Sequence, residues 1–250
     1  MRLVVLLGNT TCRFALMEGL DLREEVICSH DELRRGGVVE RIRVLGRGME
    51  VWESGMCSVV PSLERGVVDL LEQAGFPQPR LLCPSESDIF PSSYTDTGTL
   101  GADRYGVVLA ARELYGAPVI VVDCGTATTF NVVDAEGVFL GGAIAPGLRT
   151  MMAAMHMHTA VLPDVPLVLS PLIGRDTVGC MRAGVIHGTR LAVEGMVREI
   201  NKSMGPETPL IVTGGNAELL RAAGLDCGRM HWDAELLFRG VIFYLLLTHR

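Results

Sequence analysis

Two polar turns in this sequence each follow a short apolar run, and their residue types suit the binding of an anion. Gly-Asn-Thr-Thr at 8–11 follows the run 3–7, and Asp-Cys-Gly-Thr-Ala-Thr-Thr at 123–129 follows the run 119–122. A strand that ends in a glycine- and threonine-rich turn exposes backbone N–H groups and hydroxyls, which can hold phosphate oxygens. Asp123 can hold a cation beside such phosphates. Ordinary hairpins also use such turns, so the pattern alone leaves both interpretations open.

A second candidate lies at Gly-Ala-Asp-Arg, residues 101–104, where the polar loop 84–101 meets a predicted helix over 103–114. Asp103 could cap that helix, and without further context capping is the favoured interpretation. An aspartate beside an arginine in a loop at a cleft could instead be a general base next to an anion-binding group. The loop itself is rich in Pro, Ser, Thr, Asp and Gly, which indicates a linker or a binding loop.

Two other segments have side chains or backbone that could meet a ligand. Thr-Gly-Gly-Asn at 213–216 could let a nucleotide base or ribose approach the backbone, and an ordinary strand-to-helix turn explains the pattern equally well. The run 151–158 contains methionines and two histidines. His156 and His158 point to different faces of a helix, and methionine at this spacing is typical of core packing, so we predict no metal site there.

The elements that must position these residues form two similar series. Each of the two turns is followed by a predicted strand and then by Glu-Gly, at 18–19 and 136–137, and the two series lie about 117 positions apart. Two similar α/β halves that face each other make a cleft, and clefts between halves bind ligands. Chance similarity between two hairpins is the alternative to a duplication.

The hydrophobic pattern predicts the remaining elements. The predicted strands are 3–7, 13–17, 39–44, 56–60, 80–83, 119–122, 130–133, 138–140 and 210–212. The predicted helices are 67–74, 103–114, 148–158, 177–200 (one long helix or a helix pair) and 234–247.

Composition and charge exclude several classes of protein. Hydrophobic residues make up 48% of the chain, which is enough for a folded core. The net charge is −7 and there is no basic run, which argues against nucleic acid as a partner. Lys202 is the only lysine, so a Walker-type phosphate loop and a protein-kinase-like lysine are both excluded.

The cysteines and the apolar runs indicate the cellular compartment of the protein. The seven cysteines have no paired spacing, which indicates free thiols in a reducing compartment. The apolar run 241–247 is too short to span a membrane, and the first residues lack the pattern of a signal peptide. We therefore expect a cytoplasmic protein with no membrane partner.

Taken together, the motifs resemble those of the type III pantothenate kinase family, in the acetate and sugar kinase/Hsp70/actin superfamily, over nearly the whole chain. The matching segments are Gly-Asn-Thr at 8–10 with Arg13, Ser-Val-Val-Pro at 58–61, Tyr94 with Gly-Ala-Asp-Arg at 101–104, the turn 123–129 with Gly-Gly-Ala-Ile-Ala-Pro-Gly at 141–147, and Thr-Gly-Gly at 213–215. Several motifs in this order make the resemblance specific.

The resemblance implies both a fold and a reaction. The implied fold is α/β, with two ribonuclease-H-like (actin-like) halves, 1–98 and 99–250, whose mixed sheets are flanked by helices and which have a cleft between them. The implied reaction is the ATP-dependent phosphorylation of pantothenate to 4′-phosphopantothenate, the first step of coenzyme A biosynthesis. The implied assembly is a homodimer in which the second subunit helps to close the substrate site.

The resemblance also implies roles for individual residues. Asp103 would be the catalytic base at the pantothenate hydroxyl, and Asp123 would hold a monovalent cation, K⁺ or NH₄⁺, near the phosphates of ATP, which binds with Mg²⁺. The pantothenate-binding residues would be Tyr94, Gly101, Ala102, Asp103, Arg104 and Thr177. The ATP-binding residues would be Leu6, Leu7, Gly8, Asn9, Thr10, Thr11, Cys12, Arg13 and Thr126.

The sequence departs from the family pattern in its first motif. The family has Asp-x-Gly-Asn-Thr, and here Leu6 stands at the Asp position, where it can neither ligate a metal nor accept a hydrogen bond. Thr97 also replaces a proline that the family often has, which we take as minor. Three interpretations follow: a kinase whose Mg²⁺ relies on Asp123, ATP and water; an impaired homologue with a ligand-binding or regulatory role; and a kinase for another small hydroxyl compound.

Overall fold

The computed structural model describes residues 1–86, 88–205 and 208–248. The chain forms two compact units. The first comprises residues 1–114 together with the C-terminal segment that begins at Glu235, and the second comprises Tyr115–Ala234.

Strands and helices alternate along much of the chain. The strands are β1 (Arg2–Leu7), β2 (Thr11–Glu18), β3 (Asp21–Ser29), β4 (Glu53–Ser58), β5 (Arg80–Leu81), β6 (Val119–Cys124), β7 (Ala127–Val133), β8 (Phe139–Pro146), β9 (Leu210–Thr213) and β10 (Met230–Trp232). The α-helices are α1 (His30–Arg34), α2 (Val39–Val44), α3 (Pro61–Ala74), α4 (Ala102–Tyr115), α5 (Leu148–Met157), α6 (Thr177–Met204), α7 (Ala217–Ala222) and α8 (Leu236–Leu247).

Each unit contains one mixed five-stranded sheet, and the two sheets have the same topology. The strand orders are β3-β2-β1-β4-β5 and β8-β7-β6-β9-β10. In each sheet the central strand pairs antiparallel with the next strand in the chain and parallel with the fourth strand of its unit. The fold class predicted from the family resemblance, two α/β halves with mixed sheets, is therefore confirmed, and the shared strand order supports the repeat.

The central strands β1 and β6 are the most buried parts of each sheet. From Leu3 to Leu7, β1 is almost fully buried because α3 covers one face, where Leu3, Val5 and Leu7 join one core cluster. In the second unit, α5 and α6 cover the equivalent face of β6. A strand buried on both faces reads as a continuous apolar run, which is why both central strands could be predicted.

Close packing of small residues fixes α8 in the first unit. Val241 and Leu245 of α8 lie against Gly55 of β4, where a Cβ on the glycine would come within 2.6 Å of the valine. A Cβ on Gly240 would lie 2.1 Å from the carbonyl oxygen of Gly106 in α4. The first stretch of the first compact unit ends at Leu114. The sequence prediction placed the boundary between the halves after residue 98.

One predicted strand is wrong, because residues 39–44 form helix α2. The prediction relied on an alternation of apolar and charged residues at the end of this segment. The buried side chains are Val38, Ile42 and Leu45, whose spacing is helical rather than alternating. The helical spacing becomes visible only when the flanking residue Val38 is included, and the prediction considered 39–44 alone.

Membrane insertion can be judged from the helices. Over the described ranges, no helix is both long enough and apolar enough to cross a lipid bilayer.

The contact between α4 and α8 predicts a stability change. Gly240→Ala places a methyl group where the Gly106 carbonyl oxygen lies, so we expect the free energy of unfolding to fall by about 1–3 kcal/mol, the usual effect of overpacking. Gly66→Ala is the matched control, since a Cβ at this position of α3 meets nothing within 4 Å. Urea denaturation measures the free energy of unfolding of both variants. Equal values for Gly240→Ala and Gly66→Ala would contradict the close approach of α4 and α8.

Candidate functional site

The first turn, Gly8 to Thr11, closes the hairpin between β1 and β2. The Gly8 N–H donates to the Thr11 carbonyl oxygen over 3.0 Å, and the Val59 N–H donates to the Leu7 carbonyl oxygen over 3.0 Å. The imidazole Nε2 of His30 lies 2.9 Å from the Gly8 carbonyl oxygen. Asn9 is exposed at the tip of this turn.

Two residues predicted to bind ATP, Leu7 and Cys12, have side chains in the core of the first unit. Any contact of these two residues with a nucleotide must therefore use their backbone atoms. Leu6 is 7% exposed and lies on the other face of β1, on the same face as Arg13.

Arg13 is held in place beside the first turn. It faces Leu6 across the β1–β2 ladder. Its guanidinium forms an ion pair with Glu25 and lies 4.6 Å from the ring centroid of Phe238 in α8. Because the charge is fixed on two sides, Arg13 is oriented before any anion arrives.

Hydrogen bonds from three other residues hold the second turn, at 125–127. The Thr126 carbonyl oxygen accepts hydrogen bonds from the Gly147 N–H over 3.0 Å and from the Thr150 hydroxyl over 2.7 Å. The side-chain Nδ2 of Asn216 donates to the Gly125 carbonyl oxygen over 3.0 Å. A Cβ on Gly147 would lie 2.3 Å from that same Gly125 oxygen, so only glycine allows this approach.

The Asp123 carboxylate lies beside the second turn. Asp123 is half-buried, and a Cβ on Gly214 would lie 2.3 Å from its Oδ1. Gly214 also has φ = +93°, which favours glycine. Thr129 lies directly opposite Asp123 in the β6–β7 ladder, whereas the buried Thr128 pairs with Cys124 on the other face of the sheet. A carboxylate oxygen suits hard cations such as K⁺ and Mg²⁺.

Within the described ranges, no cluster of three or more His, Cys, Asp or Glu side chains could hold a metal ion. The residues present therefore fit a cation that takes most of its ligands from ATP phosphates and water. In the run 151–158, Met152 is buried and the His156 Nδ1 lies 2.9 Å from the Leu162 carbonyl oxygen, so both serve packing and local structure.

Asp103 sits in the first turn of α4, inside the helix rather than at its cap. The helix begins at Ala102, and the Arg104 N–H donates to the Asp103 Oδ1 over 2.8 Å. The carboxylate folds back over Gly101, where a Cβ would lie 2.5 Å from Oδ1. Burial raises the pKa of the Asp103 carboxyl above its ordinary value, and the hydrogen bond and charge of Arg104 oppose that rise. Asp103 therefore lies one residue inside the helix, and its carboxylate still accepts a first-turn N–H, as the capping interpretation expects.

Arg104 joins this group to the preceding loop. Its side chain is 6% exposed, its Nη1 lies 3.3 Å from the Tyr94 hydroxyl, and its guanidinium carbon lies 5.6 Å from the Tyr94 ring centroid. The structure thus brings together five of the predicted pantothenate residues within the first unit: Tyr94, Gly101, Ala102, Asp103 and Arg104. Thr177 is the exposed first residue of α6 in the second unit, where Asp176 caps the helix.

Sequence reasoning missed three residues that hold the turns: His30, Thr150 and Asn216. Asn216 belongs to a motif that was noticed only for its glycines. Thr150 and His30 lie 24 and 22 positions from the residues that they contact, and nothing in the local sequence marks those pairings.

Comparison with known proteins identifies close relatives. Residues 2–199 match the family model described as type III pantothenate kinase. The chain is 34% identical to the type III pantothenate kinase of Moorella thermoacetica over 88% of this chain and 89% of that protein. It is 36% identical to that of Thermomicrobium roseum, covering 88% of each, and 34% identical to that of Paramagnetospirillum magneticum, covering 94% and 93%.

Solved structures agree on the fold. A conserved putative Baf family transcriptional activator from Campylobacter jejuni is similar over 98% of this chain and 99% of that chain, with a TM-score of 0.57 and 20% identity. The ethanolamine utilization protein EutJ from Carboxydothermus hydrogenoformans is similar over 98% and 89%, with a TM-score of 0.50 and 17% identity. At these identities the likeness concerns the fold alone.

The raised pKa of the Asp103 carboxyl predicts a pH effect on stability. A carboxyl whose pKa rises on folding stabilises the protein at low pH, and this contribution is lost as pH rises through the folded-state pKa. Asparagine does not titrate, so the stability of the wild type relative to Asp103→Asn should fall between about pH 4 and pH 7. Urea denaturation at both pH values tests this, and a difference that does not change with pH would contradict it.

Proposed function

We propose how individual residues act in a chain that belongs to the type III pantothenate kinase family. The protein phosphorylates pantothenate with ATP in the first step of coenzyme A biosynthesis, and as a kinase it uses ATP with a divalent metal. The comparisons support neither an impaired regulatory homologue nor a kinase for a different hydroxyl compound. What remains is to assign the steps to residues.

Asp103 is the proposed base. Its carboxylate accepts the proton of the pantothenate hydroxyl as that oxygen forms a bond to the γ-phosphorus of ATP and ADP leaves. The observation that carries this assignment is the grouping of a half-buried carboxylate of raised pKa with Arg104 and Tyr94. A raised pKa brings the carboxylate closer to the operating pH and makes it a better proton acceptor. The Arg104 guanidinium and the Tyr94 hydroxyl are proposed to bind the polar groups of pantothenate.

The two glycine turns are proposed to hold the ATP phosphates. Phosphoryl transfer depends mostly on positioning and on neutralising charge at the transferred group. The Gly8–Thr11 turn supplies backbone N–H groups with Arg13 beside it, and Thr126 supplies a hydroxyl at the second turn. Both turns are held by hydrogen bonds within the protein, which supports their use as rigid donors.

We propose Mg²⁺ as the divalent metal and K⁺ or NH₄⁺ as the monovalent cation. When bound, these ions neutralise charge on the phosphate oxygens. The Asp123 carboxylate, which lies against Gly214 beside the second turn, would hold the monovalent cation. Leu6 offers no ligand, so Mg²⁺ would depend on Asp123, ATP oxygens and water.

A homodimer is the proposed assembly. In the second unit, large apolar side chains on and after α5 are exposed, among them Met157 at 69%, Val161 at 86% and Ile173 at 79%. Exposed apolar surface of this kind is typical of interaction sites, and the family resemblance supplies a second copy of the chain as occupant. We further propose a cytoplasmic location, which the free state of the cysteines supports.

The assignment of Asp103 predicts a selective loss of turnover. Asp103→Asn should lower kcat by about 10²- to 10⁴-fold, the usual contribution of a positioned general base, while calorimetry still detects pantothenate binding. Glu113→Gln, which removes an exposed carboxylate from the same helix, is the control and should keep wild-type turnover. A coupled ADP-release assay measures both, and near-normal turnover in Asp103→Asn would contradict the assignment.

The departure at position 6 predicts a gain of function. Leu6→Asp places a carboxylate opposite Arg13 at the end of β1, where it can bind Mg²⁺ directly or through water. We expect tighter Mg·ATP binding or a faster rate, by about tenfold, the lower end of the effect of a partner in a metal site. Leu6→Asn has the same shape without the charge and should give no gain. Unchanged kinetics in Leu6→Asp would contradict this account of the departure.

A further inference from the structure

One backbone carbonyl in each glycine turn accepts a hydrogen bond from a distant side chain. His30 Nε2 lies 2.9 Å from the Gly8 oxygen, and Asn216 Nδ2 lies 3.0 Å from the Gly125 oxygen. A carbonyl oxygen can only accept, so Nε2 of His30 carries a proton, as it does in the imidazolium and in one neutral tautomer. Gly8 and Gly125 are equivalent in the repeat, since each directly follows the last residue of its central strand.

These bonds determine which way the next N–H group points. A trans peptide is planar, so its C=O and N–H groups point in opposite directions. Fixing the Gly8 oxygen on His30 therefore aims the Asn9 N–H away from His30, and fixing the Gly125 oxygen on Asn216 does the same for Thr126. Asn9 is exposed, and no backbone carbonyl of the described residues accepts its N–H. The bond to His30 thus orients an N–H donor that no backbone group uses.

His30 and Asn216 lie in different elements of their units, although they make equivalent hydrogen bonds to the Gly8 and Gly125 oxygens. This argues that the hydrogen bond, rather than the element that supplies it, is what the two turns share. His30 begins α1 directly after β3, and its approach is set by a capping box in which the Ser29 hydroxyl and the Glu32 side chain cap each other's backbone N–H groups. Asn216 lies in the loop between β9 and α7, and its own N–H also donates to the Cys124 carbonyl oxygen over 2.9 Å. The equivalent hydrogen bond is therefore supplied from the β2–β3 side of the central strand in the first unit and from the β9 side in the second.

We propose that His30 and Asn216 are positioning residues that hold the first peptide of each turn so that the following N–H faces an ATP phosphate. The proposal rests on the proposed function of the two turns. Neither side chain needs to touch the nucleotide. Its effect passes through the peptide that it holds, so it concerns the binding of ATP and not that of pantothenate.

Two amide substitutions of His30 differ in whether the side chain is long enough to donate to the Gly8 oxygen. Glutamine places its side-chain N–H near the position of Nε2, whereas asparagine is too short to reach the Gly8 oxygen. We expect His30→Asn to raise the KM for ATP by about 3- to 10-fold, the effect of losing one hydrogen bond. The KM for pantothenate and kcat should stay within about twofold, and His30→Gln should keep the KM for ATP within about twofold of the wild type. Asn216→Ala should raise the KM for ATP in the same range.

His187→Ala is the matched control. His187 Nε2 makes the same kind of contact, 2.8 Å from the Ser170 carbonyl oxygen, which belongs to neither turn. Its loss should leave the KM for ATP unchanged. Circular dichroism and denaturation of each variant show whether the protein is folded, and His30→Gln keeps the test open if His30→Asn is unstable, because a KM for ATP raised in His30→Gln overturns the proposal.

The outcomes are distinct. Equal ATP KM values in wild type and His30→Asn, or a parallel rise in both substrate KM values, overturn the positioning role. If the wild type releases no ADP in response to pantothenate, the proposed function fails, and calorimetry with ADP and Mg²⁺ then decides about positioning. Weaker ADP binding in His30→Asn than in His30→Gln supports the role, whereas equal affinities or no binding by the wild type overturn it.

Discussion

A turn that offers its backbone N–H groups to a ligand must fasten its carbonyl groups elsewhere, and the glycine turns of both units have carbonyl groups fastened in this way. A peptide that can rotate presents its N–H group only part of the time, and an unsatisfied buried carbonyl is unfavourable by about 1–3 kcal/mol. In the second turn, Gly147, Thr150 and Asn216 together satisfy two consecutive carbonyls. In the first turn, the His30 imidazole satisfies the Gly8 carbonyl.

The two halves share a topology but not a distribution of charge. At equivalent places in the central hairpin, the first unit has Leu6 opposite Arg13, and the second has Asp123 opposite Thr129. The first half therefore has a fixed cationic side chain, braced by Glu25, which we propose meets phosphate. The second half has an anionic side chain, which needs a bound cation before it can face phosphate. We propose that this asymmetry lets the repeated fold keep two distinct phosphate contacts although Leu6 replaces the aspartate of the family's first motif.

The sequence was informative wherever local pattern and burial agree. The central strands, the glycine turns and the group at 101–104 could be predicted because each lies within a few consecutive residues. The role of Asp103 could not be settled locally, because its carboxylate both accepts a first-turn N–H of α4, as capping predicts, and folds back over Gly101. His30 had no local signal at all, since the antiparallel pairing of β2 with β3 brings it to Gly8. Long-range pairing of this kind is set by the sheet, not by the residues around the histidine.

The central claim is that the two glycine turns present N–H groups to the phosphates of ATP, and hydrogen–deuterium exchange of their amides measures this directly. With a non-hydrolysable ATP analogue and Mg²⁺, we expect slower exchange in the segments 8–13 and 125–129, with the change at Asn9 and Thr126 resolved by NMR. Unchanged exchange at both turns in protein saturated with the analogue would contradict it.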